Sequence, residues 1–239
     1  MAFPSFSHEQ PLPSLRVTKE FLASIERYLL KWVVDASLAS EDEAPKLLSI
    51  EIEDGYGSET VTSISQVTGS RFADSTSRIQ FMLATAYNGN GTSLRVRLSF
   101  SSKQIFSTLT IKATTPNARE LSLGLKDALL RILEPQKTWH RFVHPSSKIW
   151  AALLALSLCI SVLFFQENIK EPYSFHLFGI QILIYVYLFV MGPLRKYTIF
   201  DSRASERADK IWGWFIGGVA TFVVFTILAP WLLNRLAVP

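Results

Sequence analysis

Two histidines four residues apart are the first candidates for chemistry in this sequence. His140 and His144 would share one face of a helix, where two imidazoles could bind a metal ion. The metalloprotease pattern requires a glutamate directly after the first histidine, and Arg141 occupies that position. Lys137 and Arg141 would also repel a cation. The sequence therefore predicts no metal and no other cofactor.

The remaining polar residues show no catalytic arrangement. Serine, histidine and acidic residues occur in no nucleophile-elbow or triad context. Residues 88–91 read Asn-Gly-Asn-Gly and precede a strand pattern, so they predict a hairpin turn and not a phosphate-binding loop. Cys159 is the single cysteine, which excludes an intrachain disulfide. We therefore predict a protein that is not an enzyme; the alternative is an enzyme acting at a membrane interface through His140, Arg141 and His144.

Charge is distributed unevenly along the chain. The formal net charge of +4 is too small to predict nucleic-acid binding on charge alone. Basic and aromatic residues gather beside apolar segments, a pattern typical of membrane-flanking regions. The residues predicted to contact anionic lipid headgroups are Lys137, Trp139, His140, Arg141, His144, Lys148, Trp150, Arg195 and Lys196.

Three apolar segments follow this basic region, at residues 149–165, 173–194 and 211–233. Each approaches or exceeds the length needed to cross ~30 Å of hydrocarbon at ~1.5 Å per residue. Together they predict an all-α domain of three transmembrane helices in the inner cell membrane, with the lipid bilayer as a partner. The excess of basic residues before the first segment and after the second predicts a cytosolic N-terminal domain and an external C-terminus.

Two features predict contacts between these helices. Gln181 lies within the second segment, where an amide usually bonds a neighbouring helix. Gly213 and Gly217 are four residues apart, with Gly218 beside them, and form a small-residue face on the third segment. Such a face allows close approach of helices, either within one chain or between copies in a homo-oligomer.

The N-terminal part, residues 17–135, has the pattern of an α+β domain. Apolar residues recur at helical spacing over residues 17–38 and again over 118–133. Between these helices, about four runs alternate apolar and polar residues, which predicts an antiparallel sheet with one face covered by the helices and one face in water. Residues 58–72 are left open as a short helix or a strand.

Three further predictions complete the domain organisation. Residues 1–16, rich in proline, are predicted as a disordered leader, and residues 136–148 as a basic aromatic linker. Residues 202–210 have helical composition and would extend the third apolar segment towards the N-terminal domain. Arg95 and Arg97 are expected on the polar sheet face, with Lys112 on a neighbouring strand, as a cationic surface for an anionic partner; the alternative is a solvated strand face that limits aggregation.

These elements favour a membrane-anchored binding or sensing protein. In this hypothesis the cytosolic α+β domain binds a partner and is coupled to an oligomerising transmembrane bundle. The layout looks like the small bacterial transmembrane effectors that damage the inner membrane when an antiviral system is triggered, an analogy of architecture alone. The alternative is a structural or anchoring subunit of a larger membrane complex. No direct nucleic-acid binding is expected, and the expected protein partners are further copies of the chain or another subunit.

Overall fold

The computed structural model describes residues 3–85, 92–138, 144–145, 147–165, 179–182, 184–191 and 196–223. The strands are β1 (Ser5–Pro11), β2 (Arg16–Val17), β3 (Leu48–Asp54), β4 (Gly57–Val61), β5 (Arg78–Ala84), β6 (Ser93–Ser101), β7 (Thr108–Thr114) and β8 (Ile199–Phe200). The α-helices are α1 (Lys19–Asp35), α2 (Ala118–Leu133), α3 (Ser147–Phe165) and α4 (Arg203–Val223). Short 3₁₀ turns lie at Ala44–Leu47, Ile64–Gln66, Gln104–Phe106 and Glu134–Gln136, and a π-helical turn at Val186–Met191.

The centre of the fold is a six-stranded antiparallel sheet in the order β1-β7-β6-β5-β3-β4. Strict alternation along β6 sends Leu94, Val96 and Leu98 to one face, where they are buried. Helices α1 and α2 cover that face, and the opposite face remains polar. The structure is therefore an α+β fold in which α1 and α2 leave the polar face uncovered, and we call it the open face. Gln80, Ser99 and Ser101 on this face are nevertheless buried.

Helix α1 shows why this covering is stable. It begins after Thr18, whose hydroxyl accepts a hydrogen bond from the Phe21 backbone amide at 3.2 Å. Its buried residues recur every three or four positions and place one apolar stripe against the sheet. Phe21 meets Phe100 edge-on at 6.1 Å between ring centroids, and Phe100 meets Phe81 at 6.5 Å. These three rings form the middle of the core.

The N-terminal residues are a strand, and the predicted disordered leader is wrong at Ser5–Pro11. These residues pair with β7, and Phe6, half-buried, lies opposite Ala113 on the helix side. β1 is an edge strand, and Pro11 at its last position is tolerated there because an edge strand leaves half of its amides unpaired. The low apolar content of this strand explains why its sequence resembles a disordered segment.

One segment that periodicity left unresolved combines both proposed conformations. Residues 58–72 contain all but the first residue of β4, followed by the 3₁₀ turn Ile64–Gln66. Further along the chain, β7 begins at Thr108, directly after the 3₁₀ turn Gln104–Phe106. The hairpin turn predicted at residues 88–91 lies outside the described residues.

The predicted membrane domain of three transmembrane helices is wrong. Across the part of the chain that the structure describes, no helix combines the length and apolar character needed to cross a membrane. Helix α3 has 19 residues including Lys148, and its uncharged part of about 17 residues would reach only about 26 Å against the ~30 Å of hydrocarbon. In α4, charged residues dominate the first two turns. The predicted inner-membrane location and orientation depended on those spans and are wrong with them.

The aromatic core generates a stability prediction. Phe100 is fully buried between Phe21 and Phe81, so Phe100→Ala removes packing on both sides and is expected to lower the free energy of unfolding by about 3–5 kcal/mol. The measurement is urea denaturation followed by circular dichroism. Ile105→Ala is the matched control, because the Ile105 side chain is 75% exposed and its loss is expected to change the free energy by less than about 0.5 kcal/mol. Equal effects of the two substitutions would contradict this assignment of the core.

Candidate functional site

Three cations lie close together on the open face of the sheet. Arg95 and Arg97 project from β6 on the same side, two residues apart, and Lys112 on β7 lies directly opposite Arg95. All three side chains are exposed. We call Arg95, Arg97 and Lys112 the cationic patch.

None of the three cations forms an ion pair within the described residues, and the nearest carboxylate on a paired strand, Glu9 of β1, lies opposite Thr110. On the other side of β6, Arg95 lies opposite Ala84 and Arg97 opposite Met82, neither of which is acidic. Directly opposed residues place their Cβ atoms about 4.5–5.5 Å apart, and like charges at that separation destabilise a sheet. The arrangement can bind an anion, because a negatively charged group would remove the repulsion between Arg95 and Lys112.

A comparison on the same sheet face shows how a cation is normally neutralised. Arg78 on β5 lies between Glu51 and Glu53 of β3, with nitrogen–oxygen distances of 3.6 Å to each carboxylate. In the half of the face formed by β3 and β5 the cation is thus paired with carboxylates, whereas the cations on β6 and β7 form no ion pair within the described residues.

A second candidate site joins the sheet to the helices that follow it. Residues 12–17 lie between β1 and α1. Their backbone forms hydrogen bonds on both sides with segments that are far away in the sequence. On one side, Thr138 donates its amide to the Ser14 carbonyl at 2.9 Å, and the Ser14 hydroxyl donates to the Thr138 carbonyl at 2.8 Å. On the other side, the amides of Ile199 and Asp201 donate to the carbonyls of Leu15 and Val17, each at 2.9 Å. We call residues 12–17, 137–138 and 197–201 the junction.

The segment before α4 is buried in this junction. The Tyr197 hydroxyl donates to the Leu12 carbonyl at 2.7 Å. Phe200 is 3% exposed, belongs to the main hydrophobic core and packs against Phe72 at 6.1 Å between ring centroids. The ring of His144, just before α3, contacts the ring of Tyr197 at 5.4 Å. The chain segments that lead into α3 and α4 therefore meet at Tyr197.

Charged side chains fix the first turn of α4 against the loop before β5. The Asp74 carboxylate accepts a hydrogen bond from the Ala204 amide at 2.8 Å, which satisfies a helix N-terminal donor. Arg71 donates to Glu206 at 2.9 Å and lies 4.0 Å from Asp201. The backbone hydrogen bond to Ala204 lowers the pKa of Asp74, and the hydrogen bond from Arg71 lowers the pKa of Glu206.

Lys19 holds this loop in place from the other side. Its ammonium group donates to the carbonyl oxygens of Val67, Thr68 and Gly69 at 3.0, 3.0 and 2.5 Å. It also lies 5.5 Å from the ring centroid of Phe72. Burial lowers the pKa of Lys19, partly opposed by Glu20. The loop that carries Arg71 and Asp74 is thus anchored to the start of α1.

Of the nine residues predicted at lipid headgroups, the structure describes five. Lys137 forms an ion pair with Glu134, and the Trp150 ring contacts Phe189 at 6.3 Å between centroids. Lys148 and Lys196 are exposed. Four of them lie outside the described residues: Trp139, His140, Arg141 and Arg195. The histidine pair considered for metal binding includes His140. Within the described ranges, no group of three or more histidine, cysteine, aspartate or glutamate side chains could hold a metal ion.

The residues predicted to pack helices fall into two groups. Gln181 donates from its amide to the Ser161 hydroxyl of α3 at 2.7 Å, beside a small cluster of Ile160, Ile184 and Leu188. Gly213, Gly217 and Gly218 border an open groove on α4. A Cβ atom placed on any of these three glycines would meet nothing within 4 Å among the described residues. The glycine face therefore makes no close helix contact there.

Sequence reasoning placed the cationic residues on the open face but missed the junction. Residues 197–200 read Tyr-Thr-Ile-Phe, a β-branched and aromatic run inside a charged segment, and this run was the available signal for β8. The run is short, and its partner residues lie about 180 positions away in the sequence. Sequence periodicity carries no information on such a distant pairing.

Phe200 generates a prediction about the junction. Phe200→Ala removes a core side chain supplied by the segment before α4, so the free energy of unfolding is expected to fall by about 3–5 kcal/mol. Limited trypsin digestion is expected to cleave faster at the exposed Arg203 and Arg207. Phe106→Ala is the control, because Phe106 is half-exposed and outside the core cluster. Unchanged cleavage in Phe200→Ala would show that the junction does not hold α4.

The carboxylates at the start of α4 generate a pH prediction. The folded-state pKa of Asp74 and of Glu206 is lower than the ordinary value, so their contacts stabilise the fold above the ordinary carboxyl pKa. That contribution is lost as the pH falls through the lowered pKa. The measurement is the ¹⁵N and ¹H shift of the Ala204 amide between about pH 6 and about pH 2. We expect a midpoint below about 3.9 that Asp74→Asn abolishes; a midpoint at or above this value contradicts the assignment.

Known proteins give no direct guide to these surfaces. Comparison of the chain with protein-family models, with curated proteins and with solved structures gives no match. The inference of function therefore rests on the cationic patch and the junction.

Proposed function

We propose that this chain is a non-enzymatic binding protein whose open sheet face recognises an anionic protein partner. The single observation that carries the proposal is the direct opposition of Arg95 and Lys112, with Arg97 beside them and no acidic neighbour in ion-pair contact among the described residues. A fold that retains a destabilising like-charge pair in its sheet gains from it when a negatively charged partner binds.

The chemistry of the patch favours carboxylates on a protein. Arg95 and Arg97 present planar guanidinium groups, which bind carboxylates through two parallel hydrogen bonds. A nucleic acid usually requires a longer basic stripe and a larger excess of positive charge than the net +4 of this chain. An acidic protein segment lying across β6 and β7 is the partner that the patch fits.

The junction offers a way for binding at the sheet to affect helices α3 and α4. Residues 12–17 contact both the segment before α3 and the segment before α4 through backbone hydrogen bonds. A partner that shifts the sheet would change the position of both helix origins together, because packed cores transmit displacement more readily than they absorb it. We propose that binding at the patch is coupled to the helices in this way. The proposal does not include membrane disruption, since that role required spanning helices.

A second candidate function is a structural subunit of a larger complex. Leu158 and Val162 of α3 are 66% and 54% exposed, and Trp214 of α4 is 85% exposed. Exposed apolar side chains in this number mark protein contacts more often than free surface. This candidate predicts a stoichiometric partner that co-purifies with the chain and is lost when α3 carries polar substitutions.

The leading proposal is tested with the double substitution Arg95→Glu and Arg97→Glu. A fluorescent poly-glutamate peptide is the probe, and fluorescence anisotropy at two salt concentrations is the measurement. We expect at least about a tenfold loss of affinity, because each charge-assisted hydrogen bond contributes about 1.5–3 kcal/mol. Binding to the unmodified chain is expected to weaken with salt. The fold is expected to survive, since Arg95→Glu places a favourable charge opposite Lys112.

The control is Lys31→Glu with Arg119→Glu, an equal charge change at exposed positions of α1 and α2. These substitutions are expected to leave peptide affinity within about twofold, because exposed charges far from the patch are screened. Equal losses in both double variants would show a non-specific charge effect and contradict the proposal. Tighter binding of a single-stranded oligonucleotide of matching charge would also contradict it.

A further inference from the structure

We propose that the anionic partner of the cationic patch is the tip of the β3–β4 hairpin in a second copy of this chain, so that copies join head to tail. This inference rests on the proposed function and names its partner. It is carried by three observations: an exposed aromatic residue held at the tip, acidic residues around it that form no ion pair among the described residues, and a geometry that prevents the tip and the patch of one copy from meeting.

The hairpin tip presents one aromatic side chain in a defined position. Tyr56 is 93% exposed and lies between Gly55 and Gly57. The Asp54 carboxylate accepts hydrogen bonds from the amides of Tyr56 and Gly57 at 2.7 and 3.1 Å. Gly57 has φ +152°, which L side chains rarely adopt. The turn is therefore fixed by its own hydrogen bonds, and Tyr56 can contact a partner with little loss of backbone entropy.

The surroundings of Tyr56 are acidic. Asp54 precedes it and Glu59 follows it, and neither has a cationic partner in ion-pair contact within the described residues. Glu51 and Glu53 share the single cation Arg78, which leaves one further negative charge near the same end of the sheet. Asp54 and Glu59 are therefore negative charges outside any ion pair among the described residues, and they are opposite in sign to the cations of the patch.

The chemistry of the two surfaces is complementary as well as opposite in charge. Arginine guanidinium groups stack on tyrosine rings while their edges bind carboxylates. Tyr56 with Asp54 and Glu59 offers both groups to Arg95 and Arg97. Tyrosine and arginine are also the residue types that dominate binding energy at protein interfaces.

The tip and the patch of one copy cannot contact each other. Along β5, Arg95 lies opposite Ala84 at one end and Glu53 lies opposite Arg78 at the other. Six residues of strand separate these positions by about 20 Å, and two inter-strand spacings add about 10 Å across the sheet. Tip and patch therefore occupy distant corners of the same sheet. A contact between two different surfaces is heterologous, so it propagates into a filament or closes into a ring.

The experiment mixes two full-length variants that each lack one surface. The patch variant carries Arg95→Glu and Arg97→Glu, and the tip variant carries Tyr56→Ala and Glu59→Gln. Molar mass is measured by light scattering after size-exclusion chromatography over a range of concentrations. The unmodified chain is expected to gain mass with concentration, and each variant alone is expected to lose that gain.

The mixture separates this inference from other modes of association. The patch variant keeps its tip and the tip variant keeps its patch, so an equimolar mixture forms one productive contact and is expected to reach twice the mass of either variant alone. Glu41→Gln, in an exposed loop, is the control and is expected to assemble like the unmodified chain. Absence of a mass gain on mixing overturns the inference.

Two further outcomes also overturn the inference while leaving the proposed function intact. If the patch variant loses poly-glutamate binding but the tip variant assembles normally, the patch binds another acidic protein. If assembly persists in both variants, it depends on other surfaces, such as the exposed apolar side chains of α3. Failure of poly-glutamate binding in the unmodified chain would instead remove the proposed function.

Discussion

The buried backbone of residues 12–17 is the constraint on which the rest of the structure depends. Leu15 and Val17 are completely buried, and buried amide and carbonyl groups are costly unless they are hydrogen-bonded. Their partners come from the chain after α2 on one side and the chain before α4 on the other. The need to satisfy this one short segment thus brings together the N-terminus, the sheet and the origins of both later helices.

How far the sequence predicts the fold depends on whether each element has a local signal. Helices α1 and α2 were predictable because their apolar residues recur at helical spacing and end at breakers such as Pro135. β1 was not, because only Phe6 marks it as apolar, and its pairing with β7 is a long-range contact. The membrane domain was wrongly predicted because the length of an uncharged run was taken as the length of a helix. In the structure, α3 includes Lys148 and α4 begins with charged residues.

The candidate sites show the same division. Alternation alone put Arg95 and Arg97 on one face of a strand. The opposition of Arg95 and Lys112 required the register between β6 and β7, which periodicity does not determine. The junction had no local signal beyond four residues of strand-forming character. The face on which a charged residue lies within one strand can therefore be predicted from sequence. Which charged residues lie opposite each other on two strands depends on the register of the folded sheet.

The contribution of Phe200 to the core has a consequence for how the protein is made. The ribosome adds Phe200 after the sheet and helices α1 and α2 have been synthesised. Until then, residues 12–17 lack the hydrogen bonds that the segment before α4 supplies. Over the same interval, the ring of Phe72 lacks the contact that Phe200 makes with it in the folded protein. The timing of translation through the helical region thereby sets how long this unfinished state lasts.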